Sequence, residues 1–455
     1  MSAPGLPTWL AREIEVIRAL GGEFRMESRL GRDCSLEDLR RDFHAVFLAI
    51  GAQGSRGLDC LGEELAIPAI DFLGQVAGGV SPRTGTEVVV FGGGNTAMDA
   101  ARTAIRLGAG SVRVLYRRTR REMPCLMSEV ESAEAEGVVL ETLIAPARLA
   151  RAAGGGFEIT CLRMDLGAPD ESGRARPVPV PGSEFSLHAT CVLAAIGQTV
   201  EAGALCAGDL KLSSRGIAVN PLTLATNLEG VFAGGDAVSG ADLAVRAVAA
   251  GRLAAVSMDQ FLAGRRVHGD PEMVTVLMGK MQEEELAEFF RGIEASPRAC
   301  TPELPVEERV KSFAEVDLGF SDESAQSEAG RCMNCGCWKA GVCSLRQLAT
   351  EYGADPARFA GARRRFHRDS AHPEIVFESG KCILCGACVA AAAGVGEGLG
   401  LAIVGRGFEA TVAVPLRGTM IEALPSAARL VAEVCPTGAF SVKTNGNGGC
   451  SHGTC

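Results

Sequence analysis

The chain has 455 residues, 47% of them hydrophobic, and a formal net charge of −10. That length accommodates two to four domains, each with its own core. The acidic balance excludes the basic footprint of a general nucleic-acid binder. No apolar run reaches membrane-spanning length, and the first twelve residues lack the basic start and apolar core of a signal peptide. Seventeen cysteines in such a chain point to metal ligation in a reducing compartment rather than to disulfides. The expectation is a soluble cytoplasmic protein without a membrane span.

In chain order, the apolar spacing of Leu10, Ile14, Ile17 and Leu20 predicts a helix over 10–20, ended by Gly21-Gly22. Short strands are expected over 24–26 and 45–50, and a buried strand over 87–91. A glycine turn, a helix over 96–107 and a strand over 112–116 follow. The apolar runs 191–196 and 230–233 continue the pattern. Strands separated by helical stretches imply a parallel sheet covered on both faces. Residues 266–330 read as a helical, acidic connector punctuated by Pro271, Pro297, Pro302 and Pro305. A cysteine-rich region runs from Cys332 to about Val442, and the last residues form a Gly/Asn/Ser-rich tail expected to be disordered.

The strand at 87–91 leads into Gly92-Gly93-Gly94-Asn95-Thr96-Ala97, a G-x-G-x-x-A turn before a helix. Gly92 permits the tight turn, Gly94 lets backbone approach a pyrophosphate, and Ala97 lets helix and strand pack. The start of the helix, at Asn95 and Thr96, then faces phosphate with unpaired N–H groups. Where an NAD site would place an acidic residue, this chain has Arg117-Arg118 and then Arg120-Arg121. Guanidinium groups there suit a 2′-phosphate, so NADPH is expected over NADH; a solvated basic turn is the alternative. Further on, the strand near 230–233 ends in Gly234-Gly235-Asp236 before another helix. Asp236 could accept a ribityl hydroxyl, or the turn could be a capped strand–helix junction and no more.

Cys382-x-x-Cys385-x-x-Cys388 and the later Cys435-Pro436 supply the four ligands of one cluster of a two-cluster ferredoxin, in which the last cysteine of each run ligates the other run's cluster. The four ligands of the other cluster are absent: their positions fall on Ala392, Pro425, Ala428 and Val431. One 4Fe-4S site is therefore expected. Upstream, Cys332, Cys335, Cys337 and Cys343 supply four thiolates within twelve residues, for a second cluster or a structural zinc. Cys34, Cys60, Cys125, Cys161, Cys191, Cys206 and Cys300 are isolated and read as small buried hydrophobes. His367 and His372 read as surface residues, and Cys450, His452 and Cys455 as part of a frayed tail.

Five stretches resemble the small subunit of NADPH-dependent glutamate synthase and its flavoprotein relatives: residues 12–18 (REIEVIR), 42–51 (DFHAVFLAIG), 92–106 (GGGNTAMDAARTAIR), 116–124 (YRRTRREMP) and 226–236. The resemblance implies an NADPH domain inserted into an FAD domain of the same doubly wound type. Gly92, Gly94, Asn95, Arg117 and Arg118 would serve NADPH, and Gly235 and Asp236 would serve FAD. In that family an iron–sulfur region and a first glycine fingerprint precede the point matching Met1. A second polypeptide supplying that half of the FAD domain is thus one expected partner. Residues 345–353 and Arg358-Phe359, with CILCGAC at 382–388 and CPTGA at 435–439, resemble the iron–sulfur region of NADH–quinone oxidoreductase large subunits, hydrogenases and formate dehydrogenases. Those proteins often use one His and three Cys upstream; Glu328 stands at the His position.

The expected fold class is α/β, with doubly wound parallel-sheet FAD and NAD(P) domains (the FAD domain incomplete), plus a ferredoxin-like α+β iron–sulfur domain. The expected domains are a partial FAD domain at 1–84, an NAD(P)H domain at 85–190, and the rest of the FAD domain at 191–265. A connector at 266–330, a cluster segment at 331–365, a ferredoxin-like domain at 366–445 and a tail at 446–455 complete the chain. The expected function is an oxidoreductase subunit passing electrons between NADPH, FAD, 4Fe-4S clusters and a redox partner subunit or ferredoxin-type acceptor. No side chain need act as acid or base in hydride transfer. The alternatives are a glutamate synthase small subunit and a non-catalytic electron-wiring subunit.

Overall fold

The structure, a computed structural model, describes residues 8–169, 173–201, 209–270, 273–275, 283–289, 294–332, 339, 341–356, 358 and 366–443. The chain divides into two units, Met1–Asp270 with Thr301–Phe320, and Pro271–Cys300 with Ser321–Cys455.

At the centre of the first unit is the run Val88-Val89-Val90-Phe91, apolar on both faces because both are covered. Successive strand residues point to opposite sides. Val88 and Val90 join a core with Phe72, Ala97, Met98 and Ala101, contributed by the helices Ala69–Ala77 and Asn95–Arg106. Val89 and Phe91 join a different core, with Ile144, Leu149, Ile159 and Cys161. The strand Glu87–Phe91 lies third in a five-stranded parallel sheet, in the order Ile67–Pro68, Cys191–Ala194, Glu87–Phe91, Ser111–Tyr116, Val139–Thr142. Helices cover one side. The other side is covered by an antiparallel sheet of Phe185–Ala189, Phe157–Pro169 and Ile144–Arg151, with Ala175–Pro179 on the same long strand. Both faces are thus covered, the second by strands rather than helices.

The region expected to bind flavin has its own core of Leu36, Val46, Leu48, Ile217, Val231 and Ala233. Here the strands Val46–Leu48 and Val231–Ala233 pair in parallel, and Phe232 meets Phe261 of the helix Ala244–Leu262 edge to face at 6.1 Å. Helix Thr8–Ala19 forms near its expected place. Residues 24–26, expected as a strand, are not one. No strand pairs with them, and Phe24 lies beneath the Arg18 guanidinium, 5.2 Å from its ring centre.

The expected connector divides. Thr301–Phe320 groups with the first unit, held there by Arg309. Glu136, whose side chain is fully buried, accepts two hydrogen bonds each from Arg102 and Arg106, while Arg309 Nε lies 3.2 Å away. Burying one carboxylate among three guanidiniums is tolerable because each charge has partners; removing Glu136 would strand them.

The second unit contains a three-stranded antiparallel sheet, Arg368–Asp369, Ile375–Glu378 and Phe440–Val442, and a hairpin of Ala402–Val404 with Thr411–Ala413. Phe377 stacks on Phe440, ring centres 4.6 Å apart. Helices Ala387–Gly394 and Ala428–Val434 pack into the same core. Ala392, Ala428 and Val431, which occupy ligand positions of the missing cluster, are part of that core and at most 2% exposed. Pro425 is exposed.

Candidate functional site

The glycine turn of the first unit separates what the fold requires from what it leaves open. Gly92 has φ +149°, and a Cβ there would lie 2.2 Å from the Ala195 carbonyl oxygen. A Cβ on Gly93 would lie 2.5 Å from the Tyr116 ring. Packing alone therefore demands glycine at both. Gly94 is different. It has ordinary extended backbone, φ −94° and ψ 174°, and a Cβ would meet nothing nearer than Pro124 Cγ at 4.0 Å. Among the described residues nothing fills the space at Gly94, which is the N-cap of the twelve-residue helix Asn95–Arg106. The first N–H groups of that helix have no intrahelical acceptor, so the concavity is lined by donors. Ala97 is fully buried and sets the close approach of helix and sheet. Asn95 lends its side-chain oxygen to the Leu126 N–H at 3.1 Å, tying the helix start to the loop that follows the next strand. Thr96 is half-buried beside it.

That loop carries four arginines with different fates. Arg118 is 5% exposed and donates from Nε to the Ala175 carbonyl at 2.7 Å. Arg120 forks onto Glu134 at 2.9 and 2.8 Å. A capping box between Thr119 and Glu122 and a hydrogen bond from Tyr116 Oη to the Glu122 carbonyl, 2.8 Å, stiffen the turn. Thr119 donors, helped by the Arg121 charge, hold the Glu122 carboxyl below its ordinary range. Arg117 and Arg121 are exposed and form no hydrogen bond or ion pair with the described residues. The two cations free for an anionic ligand are thus Arg117 and Arg121, while Arg118 is turned into the fold.

At the strand end expected to serve flavin, Val231–Ala233 runs through Gly234, packed under Phe47, to Gly235 at φ +62°. Asp236 opens the short helix Asp236–Ser239 and is half-buried, its Oδ1 accepting the Asp242 N–H at 3.3 Å.

In the second unit Cys382, Cys385, Cys388 and Cys435 line one pocket, together with Ile383, Val412, Pro436 and Phe440. Cys388 is the second residue of the helix Ala387–Gly394, and Cys435 is the C-cap of the helix Ala428–Val434. Burial first, then the neighbouring thiols of Cys382, Cys435 and Cys385, push the Cys388 thiol up to about 11. The Leu384 N–H points at Cys382 Sγ at 3.3 Å, a donor aimed at a sulfur. Among the described residues no three His, Cys, Asp or Glu side chains converge closely enough to hold a single ion. Four thiols around one apolar pocket match the ligand number of a 4Fe-4S cluster, which offers one iron to each cysteine. The residues present fit a 4Fe-4S cluster.

The upstream set is divided. Cys332 is exposed after the helix Asp322–Gly330, and Cys343 caps the helix Ser344–Glu351. Cys335 and Cys337 lie outside the described residues, as do Cys206 and the tail with Cys450, His452 and Cys455. Glu328 accepts the Ala299 N–H at 2.9 Å and pairs with Arg331, which together keep it ionised. His372, expected at the surface, is 5% exposed and spans the Glu374 N–H and the Leu424 carbonyl. Of the isolated cysteines, Cys125, Cys161 and Cys191 are buried, Cys34 and Cys60 half-buried, and Cys300 exposed.

Residues 25–251 match the family model described as pyridine nucleotide-disulphide oxidoreductase. The NADP(+)-dependent formate dehydrogenase subunit beta of Moorella thermoacetica is 42% identical over 351 residues, 74% of this chain and 49% of that one. The NADPH-Fe(3+) oxidoreductase subunit beta of Geobacter sulfurreducens is 36% identical over 380 residues, covering 74% and 55%. The glutamate synthase (NADPH) small chain of Azospirillum brasilense is 38% identical over 264 residues, 54% of each. The chain spans about half the length of these curated relatives. Residues 25–251 thus carry a pyridine nucleotide-disulphide oxidoreductase domain.

Proposed function

We propose that this chain is a subunit of an NADPH-dependent oxidoreductase that carries FAD and iron–sulfur clusters and exchanges electrons with a redox partner. The observation that carries the reading is the joint presence, in one chain, of an open glycine concavity flanked by free arginines and a four-cysteine apolar pocket. A bound flavin supplies the exchange between two-electron hydride chemistry and one-electron chemistry. This chain's own residues bind and orient. Gly94 leaves room for the dinucleotide pyrophosphate at the first N–H groups of Asn95 and Thr96. Arg117 and Arg121 take the 2′-phosphate that distinguishes NADPH from NADH. Gly235 and Asp236 serve the flavin at the end of their strand. Cys382, Cys385, Cys388 and Cys435 hold the 4Fe-4S cluster of a ferredoxin-like domain, and Ile383, Val412 and Phe440 keep water from it.

Two parallel strands make a small sheet for a region of this kind, and a segment beyond the described strands, from this or another polypeptide, completes it. The match to a formate dehydrogenase beta subunit extends over 74% of the chain against 54% for the glutamate synthase small chain. That difference favours a larger electron-transfer complex over glutamate synthesis. A reducing, cytoplasmic compartment suits the seventeen cysteines, and no helix among the described residues is long and apolar enough to cross a membrane.

The test is anaerobic reduction of a one-electron acceptor such as ferricyanide or a viologen by the purified, cluster-loaded chain, with NADPH and NADH compared. NADPH-dependent turnover that far exceeds NADH-dependent turnover supports the reading. A loaded, folded protein that reduces the acceptor with neither nucleotide would overturn it.

A further inference from the structure

Two lysines approach the four-cysteine pocket, and they differ in how their charge is balanced. Lys381 immediately precedes Cys382 and pairs with Glu378, a carboxylate 2% exposed, so its field is largely cancelled locally. Lys339 belongs to the upstream cysteine segment. Its ammonium donates to the carbonyls of Ala432 and Cys435, the latter at 3.2 Å. It is half-buried and has no carboxylate partner among the described residues. The same segment is fastened to the same turn twice more. The Leu345 N–H donates to the Pro436 carbonyl at 3.4 Å, and Cys343 Sγ lies 3.9 Å from that oxygen. An uncompensated positive charge is thus held against the backbone of the last of the four cysteines.

We infer that Lys339 is a positioning residue that sets the reduction potential of the cluster at Cys382, Cys385, Cys388 and Cys435. The inference rests on the cluster reading given above. Reduction adds one negative charge to the cluster, and a fixed cation nearby stabilises that state over the oxidised one. The effect is large because the surroundings are apolar and screen little. Lys339 therefore makes this cluster easier to reduce than the same four thiolates would alone. A merely structural Lys339 would cap the last carbonyls of the helix Ala428–Val434 and leave the potential alone.

The experiment is a redox titration of the full purified chain followed by electron paramagnetic resonance. The signal altered in Cys385→Ser identifies the cluster in question. Lys339→Gln keeps a donor and removes the charge. It is expected to lower the midpoint so that, at a fixed potential, the reduced-to-oxidised ratio falls about tenfold, 59 mV for one electron. Lys339→Arg should hold the wild-type value. Glu378→Gln, which unmasks Lys381, should move the midpoint the other way. Lys339→Met provides a second uncharged variant, read in the same manner if the Gln variant fails to fold. A signal that stays at the wild-type potential without the Lys339 charge, with the cluster intact and Glu378→Gln shifting it, overturns the inference and leaves Lys339 a helix cap. A wild-type protein with no iron–sulfur signal at all overturns the cluster reading instead, and the inference with it.

Discussion

The two candidate sites are built in opposite ways. In the first unit the site is made by leaving side chains out: glycines at 92, 93 and 94 and the bare N–H groups of a helix start. In the second it is made by putting side chains in, four thiols placed around one pocket by two short helices and the turns beside them. A site of absences is broken by adding a methyl group, and a site of presences by deleting a ligand. The contrast also decides where stability and function can be separated. Gly94 is free of fold constraints, whereas the cysteine pocket lies within the core that holds the second unit together.

The largest effect is expected from deleting a ligand. Cys385→Ser should abolish the 4Fe-4S cluster proposed at Cys382, Cys385, Cys388 and Cys435, a loss of about four irons per chain measured by iron analysis, while Cys161→Ser should leave the iron content unchanged. Adding a methyl where the fold forbids it comes next. Gly92→Ala places a Cβ against the Ala195 carbonyl and requires an alanine at φ +149°. It should destabilise the first unit by roughly 3 kcal/mol or more in urea unfolding. Gly94→Ala should do the reverse: stability within about 0.5 kcal/mol of wild type, and a KM for NADPH raised about tenfold, roughly 1.4 kcal/mol of binding. If Gly94→Ala unfolds the protein, the open concavity is not the ligand's place. The arginines sharpen the same division. Arg117→Ala should raise the NADPH KM several-fold and leave the NADH KM nearly unmoved. Arg118→Ala should cost about 1–2 kcal/mol of stability through the lost bond to Ala175 and affect both nucleotides alike.

The smallest effect concerns thiol reactivity. Burial raises the Cys161 thiol to about 12 and the Cys191 thiol to about 11, so at pH 8 both are protonated as well as inaccessible. Neither should be alkylated by iodoacetamide in the folded protein, and both should be after denaturation. Labelling of the native protein at Cys300, which is exposed, provides the comparison.

Much of the first site was legible in the sequence because absences have names: G-x-G-x-x-A after an apolar run states a turn, a close approach and a helix start. The cover on the far face of the sheet was not. Val88-Val89-Val90-Phe91 says that both faces are buried, but a continuous apolar run carries no trace of what buries each one, so the antiparallel strands over 144–189 went unforeseen. Nor do adjacent arginines declare their directions. Arg117 and Arg118 alternate across the sheet's end, one outward and one into Ala175. The attachment of Thr301–Phe320 to the first unit depends on Arg309 reaching Glu136, a pairing 173 positions apart that composition does not show. In the second unit, the apolar character of Ala392, Ala428 and Val431, at positions where a second ligand set would place cysteines, told of burial, and the structure packs all three into its core.

The central claim, that one chain joins a nucleotide site to an iron–sulfur electron acceptor, is tested most directly by its anaerobic visible spectrum before and after NADPH. The account predicts broad iron–sulfur absorption together with flavin bands, both bleaching when NADPH is added to the chain with its flavin restored. Iron–sulfur absorption that NADPH leaves untouched, in protein loaded with flavin, would contradict it.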